Sequence, residues 1–89
     1  MKTVYKYTLD LVDLQVIQLP YDSTILSVAE QFDQIVLYAL VDPAETLVAE
    51  HTIRIAGTGH TIKQPHVHFI GSIVLEAGHL VFHVFEVFE

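Results

Sequence analysis

The sequence predicts an all-β domain, a small sandwich or barrel of six to seven mainly antiparallel strands that associates into an oligomer. Three observations carry that expectation. Hydrophobic residues recur with a period of two along most of the chain, as in strands with one face buried. Turn-forming residues interrupt these segments at close spacing. Hydrophobic residues make up 52% of only 89 positions, against about 45–50% in soluble domains. A chain this short buries only about 60–65% of its unfolded surface, so contact between subunits is the natural outlet for the surplus.

The first strand is expected from Thr3 to Leu9, with Val4, Lys6 and Thr8 opposite Tyr5, Tyr7 and Leu9. Leu14 to Leu19 forms the second, and Pro20-Tyr21-Asp22-Ser23 a turn. Ile25 to Phe32 forms the third, followed by a two-residue hairpin at Asp33-Gln34, although neither residue is the glycine that primed turns prefer. Ile35 to Val41 is apolar throughout and rich in β-branched residues, which predicts a central strand covered on both faces. Asp42-Pro43-Ala44-Glu45 reads as a turn or a brief helical start capped by Asp42. Val48 to Ala56 alternates again, with Ala49, His51, Ile53 and Ile55 on one side and Glu50, Thr52 and Arg54 on the other. Gly57 to Pro65 is the main irregular segment. Val67 to Leu75, a hairpin turn at Glu76-Ala77-Gly78, and Leu80 to Val87 complete the chain. Phe82 and Phe88 fall on one face of that last strand and Phe85 on the other, so both faces meet something. Residues 1–89 make a single domain.

Composition excludes several classes. No apolar run reaches the roughly 18 residues of a membrane span, and the charged, alternating start is no signal peptide. There are no cysteines, hence no disulfide framework and no thiolate metal site. A net charge of −7 with four Lys and Arg argues against direct nucleic-acid binding, which needs clustered cations. The same acidity suits a basic protein partner, or simply keeps the protein in solution.

Several stretches together resemble one family. They are Thr3-Val4-Tyr5-Lys6-Tyr7, Ile25-Leu26-Ser27-Val28 with Gln31, Leu37-Tyr38-Ala39-Leu40-Val41-Asp42-Pro43, Gly57-Thr58-Gly59-His60, Phe69-Ile70-Gly71-Ser72-Ile73, and the run from Gly78 to Glu86 that ends His83-Val84-Phe85-Glu86. In this order they resemble a family of small, uncharacterised proteins of tailed phages and prophages, a domain of unknown function. The chain departs from that pattern at Thr61, at Phe82 and in the final Val87-Phe88-Glu89. The resemblance implies a phage origin and a host-cytoplasm setting, and brings no activity or cofactor with it.

Candidate chemistry is therefore read from the residues. Gly57-Thr58-Gly59-His60 places two glycines around a hydroxyl, which permits positive φ and close backbone approach to a ligand. Successive N–H groups in such a loop form an anion-binding concavity, and Thr58 and His60 add donors. A tight turn with His60 packed on it is the structural alternative. His83, mid-strand between Phe82 and Val84, can line a pocket beside that loop or serve as a hydrogen-bonded sheet histidine. Five of the six histidines lie between positions 60 and 83. His60, His66 and His68 are weak metal candidates, since two imidazoles two apart on a strand share a face, yet a convincing third ligand is missing. The carboxylates Asp10, Asp13, Asp22, Asp33, Asp42, Glu30, Glu45, Glu50, Glu76, Glu86 and Glu89 are expected to be solvated. Ser23, Ser27 and Ser72 lack a nucleophile-elbow context.

The expectation that follows is a non-enzymatic, oligomeric binder of a small anionic, nucleotide-like ligand at Gly57, Thr58, Gly59, His60 and His83, without cofactor, sequestering a host defence signal. The alternatives are an acidic module docking on a host protein, and a small histidine-metal enzyme.

Overall fold

Seven of the alternating segments become strands in the computed structural model, which describes residues 1–88. They are β1 (Thr3–Thr8), β2 (Leu14–Pro20), β3 (Thr24–Gln31), β4 (Gln34–Val41), β5 (Val48–Gly57), β6 (Val67–Leu75) and β7 (Leu80–Val87). Every pairing is antiparallel. The strands form a three-stranded sheet of order β1-β4-β3 and a four-stranded sheet of order β2-β5-β7-β6. The fold is thus an open sandwich rather than a barrel. Glu89 lies outside the described residues.

The core is built from the period-two faces. Leu37, Ala39 and Val41 of β4 meet Ile53 and Ile55 of β5, Val84 of β7, Ile73 and Leu75 of β6 and Leu19 of β2, all buried. The apolar run of β4 is the centre of its sheet, as its composition demands. Its other face is covered unevenly: Val36 is buried, whereas Tyr38 and Leu40 are half-buried.

The β3–β4 hairpin differs from expectation. Gln31 pairs with Gln34, so the turn is Phe32–Asp33 and not Asp33-Gln34. Both turn residues have positive φ, 51° and 61°, as a primed turn requires. No glycine announces it. Instead the Glu30 carboxylate accepts the Asp33 N–H at 2.6 Å, and the Asp33 carboxylate accepts the Glu76 N–H at 2.8 Å, tying this hairpin to the next. That next turn is Glu76–Gly78, where Glu76 and Ala77 also have positive φ, 50° and 53°. At Asp42 the chain makes a turn without a helix, the side chain accepting the Ala44 N–H and the carbonyl accepting the Glu45 N–H.

Residues paired across strands share a face, so the register fixes what each sheet turns outward. The three-stranded sheet shows Lys6, Thr8, Ser27 and Tyr38. The four-stranded sheet shows Leu14, Val16, Phe69 and Val74, all exposed. There Phe69 packs edge-to-face on Phe85 at 5.5 Å. The two sheets approach closely where Gly71 of β6 faces Val28 of β3: a Cβ at Gly71 would lie 2.9 Å from Val28 Cγ2. Each of these two strands carries a bulge beside that contact, at Leu26 between Ile25 and Ser27, and at Ile70 between Phe69 and Gly71.

Candidate functional site

The loop leaving β5 is closed by two histidines acting differently. The His60 N–H donates to the Gly57 carbonyl at 3.0 Å, and the Gly57 N–H donates to His60 Nδ1 at 3.2 Å. The imidazole therefore lies over Gly57, where an added Cβ would stand 2.9 Å from Cε1. A side chain at 57 and this ring position are incompatible. Because Nδ1 accepts, the neutral ring carries its proton on Nε2 and offers a donor there. Gly59 adopts φ +89° in open space, a conformation that side-chain-bearing residues seldom take.

His83 holds the other side of the loop. Its Nε2 lies 2.8 Å from Thr58 Oγ1 and its Nδ1 lies 2.8 Å from Ser72 Oγ. A neutral imidazole donates through one nitrogen and accepts through the other, so one hydroxyl gives a proton to the ring and the other receives one. His83 thus pins Thr58 to β6. The structure brings Gly57, Thr58, His60 and His83 together, but of these only His60 lines the cleft described next; Gly57 and Thr58 border a different depression, and His83 acts through Thr58.

That cleft, about 350 Å³, lies between the β1–β2 connection and the segment following β5. Arg54, His60, Lys63, Gln64 and Asp13 line it. Two of the chain's four Lys and Arg residues therefore face one opening in a protein of net charge −7. By strand alternation Arg54 belongs on the outward face of β5, yet it is 7% exposed, because the loop folds over it. Its guanidinium donates to the carbonyls of Asp13, Ile55 and Thr61 and so fastens the loop to β2 and β5. The nearest carboxylate, Asp13, stands 3.7 Å away with its side chain 90% exposed. A buried guanidinium so loosely paired retains a positive field, and Gln64 Oε1 is buried with no hydrogen-bond partner among the described residues. A shallower, mostly apolar depression of about 550 Å³ borders the other side of His60, beside Val81 and Phe82.

The family described as a domain of unknown function (DUF7352) matches residues 1–89. The chain belongs to this family. No curated protein and no solved structure matches it.

Elsewhere in this family member the remaining histidines separate. His66 precedes β6, its carbonyl accepting the Phe88 N–H at 2.8 Å, while His68 lies within the strand in register with Glu86. Among the described residues no group of three or more His, Asp or Glu is arranged to hold a metal ion, so His60, His66 and His68 do not form a centre. Among these residues no helix is long and apolar enough to cross a membrane.

Sequence reasoning missed two features. Arg54 was placed on the outward face, with no signal that a loop would bury it. Glu86 was expected to be solvated; instead its carboxylate lies 2.6 Å from His51 Nδ1, with the side chains 14% and 18% exposed. The pairing of Ile53 with Glu86 puts this carboxylate on the inward face, where only a partner makes a charge tolerable. The two residues are 35 apart, and no local pattern joins them.

Proposed function

We propose that the protein is an oligomeric, non-enzymatic binder of a small anionic ligand, held in the cleft of Arg54, His60 and Lys63. The convergence of these three residues is the observation that carries the reading. Arg54 supplies a fixed charge, Lys63 a mobile ammonium and His60 a directed N–H. Charge-assisted bonds of this kind suit phosphate oxygens. A nucleotide-like ligand adds an apolar base, for which the depression beside Val81 and Phe82 is available. The reading extends to a phage-encoded protein in the host cytoplasm that sequesters a nucleotide-derived defence signal; its support is the resemblance of the Gly57–His60 and His83–Glu86 segments to small phage proteins.

Oligomerisation draws on the apolar residues exposed along both edges of the four-stranded sheet's outward face, since exposed apolar surface marks interaction sites. The test of binding is calorimetry with phosphate, pyrophosphate and a panel of nucleotides. Binding that Lys63→Glu removes and His60→Ala weakens by about tenfold is expected. Absence of heat across the panel, or equal binding by Lys63→Glu, overturns the reading.

A second reading, docking on a host protein, draws on Phe32. It is 91% exposed at the tip of the β3–β4 hairpin with φ 51°. An aromatic held out on a rigid turn is an anchor for a partner's pocket. Loss of a stoichiometric partner from host lysate on Phe32→Ser, with anion binding unchanged, is its signature.

A further inference from the structure

A second opening lies towards the opposite end of β5. His51 precedes Gly57 by six residues on that strand, roughly 20 Å at the rise of an extended chain. Beyond the close contact of Gly71 with Val28, the bulges of β3 and β6 border a cleft of about 380 Å³ between the sheets. That volume falls within the range of about 300–1,000 Å³ usual for small-ligand sites. Bulges gather next to binding sites because they re-aim side chains and end regular pairing. Here one bulge in each sheet borders the same opening.

The chemistry inside differs from that of the anion cleft. Ile25, Leu26, Ile70 and Phe88 supply apolar wall, and among the described residues no Lys or Arg lines the opening. The polar groups are the His51–Glu86 pair, His68 and the hydroxyls of Ser23 and Thr24. A carboxylate only accepts, so His51 gives its Nδ1–H to Glu86, and in its neutral form the ring keeps a lone pair on Nε2. One Glu86 oxygen is taken by this bond at 2.6 Å, and the other remains an acceptor. The cleft therefore combines two unspent acceptors, one of them anionic, with an apolar surround.

We infer that this cleft is a second binding site, for small organic ammonium ions that carry a compact aromatic or branched aliphatic body. Such a ligand brings N–H donors to these acceptors, matches the carboxylate in charge, and buries its body against Ile25, Leu26 and Ile70. An anion meets the Glu86 carboxylate with no Lys or Arg among the described lining residues to offset it. The overall charge of −7 favours the approach of cations in the same sense. His51 orients the carboxylate, and Glu86 is the contact that selects the charge.

The experiment is an amide-shift titration of the full chain with benzylamine, benzyl alcohol and phenylacetate as matched cationic, neutral and anionic probes. Benzylamine is expected to shift the amides of Ile25, Ile70 and Glu86, with at least tenfold weaker effects from the other two. Glu86→Gln, which keeps the shape and an acceptor for His51, is expected to abolish the preference for the amine. Leu26→Trp, which fills the mouth without touching the pair, is expected to block all three probes. Lys63→Glu is expected to leave amine binding unchanged, so the two sites fail or stand independently. Phenylacetate binding as tightly as benzylamine, benzylamine shifts confined to other surfaces, or an unaltered preference in folded Glu86→Gln overturns the inference.

Discussion

The imidazole of His60 occupies the space that a side chain at Gly57 would need, with 2.9 Å between Cε1 and a Cβ built at that position. The two residues also exchange hydrogen bonds, N–H to carbonyl at 3.0 Å and N–H to Nδ1 at 3.2 Å. The glycine is there for room and not for backbone freedom, which is the role of Gly59 two residues later. Gly57→Ala is therefore expected to displace the exposed His60 ring and break its bond from the Gly57 N–H, at a cost of about 1 kcal/mol. In a His60→Ala background the same change is expected to cost less than about 0.5 kcal/mol. Urea unfolding of the four proteins checks this double-mutant cycle.

Arg54 joins three segments by donating to the carbonyls of Asp13, Ile55 and Thr61. Arg54→Met keeps the aliphatic stem and leaves those acceptors short of partners. A loss of about 3 kcal/mol is expected from the unmade bonds, and the loop should become the first site of limited proteolysis. Mass spectrometry of the digest is expected to place the new cut between Gly59 and Pro65, whereas an uncut loop contradicts the fastening role.

The contact between Gly71 and Val28 sets the spacing of the two sheets. Gly71→Ala is expected to cost about 2 kcal/mol by driving a methyl against Val28 Cγ2. Val28→Ala alone removes buried methyl groups and should also destabilise, by about 1 kcal/mol. The pair together should be more stable than Gly71→Ala alone, as read from thermal midpoints.

Much of the sandwich was legible before the structure. The apolar run of β4 announced a central strand, and alternation in β5 correctly sorted Ile53 and Ile55 from Thr52 and Arg54. What escaped was set by non-local contacts. The Phe32–Asp33 turn uses positive φ at two residues that are not glycine, stabilised by Glu30 and by a bond to Glu76 from a different hairpin. Alternation gives the side on which Arg54 emerges, but not the loop that folds back over it. In the candidate site, Gly57, Thr58 and His60 stand together in the chain, and of them only His60 lines the cleft. Lys63 carries no local pattern that marks it as a site residue. His51 and Glu86, read separately as members of two strands, meet only because β5 pairs with β7.

The outward face of the four-stranded sheet is one place where the apolar surplus reaches the surface. Leu14, Val16, Phe69 and Val74 are exposed on it, whereas the other sheet turns Lys6, Thr8 and Tyr38 outward beside the exposed Val4. Val16→Lys combined with Phe69→Lys is expected to shift the protein to monomer in sedimentation-equilibrium experiments without reducing its content of strand. A wild-type protein that stays monomeric at high concentration contradicts the assembly.

Among the described residues Asp13 is the one carboxylate lining the Arg54–Lys63 cleft, 3.7 Å from Arg54 and turned largely to solvent. It opposes any bound anion. The most direct measurement is therefore a titration of the labelled protein with pyrophosphate, following the amides of Gly59, His60 and Lys63 and the Arg54 guanidinium, in the wild type and in Asp13→Asn. Shifts focused on these groups, with affinity raised about threefold to tenfold by Asp13→Asn at low salt, are the predicted result. An unresponsive loop, or affinity unchanged when the opposing carboxylate is removed, contradicts an anion held at this cleft.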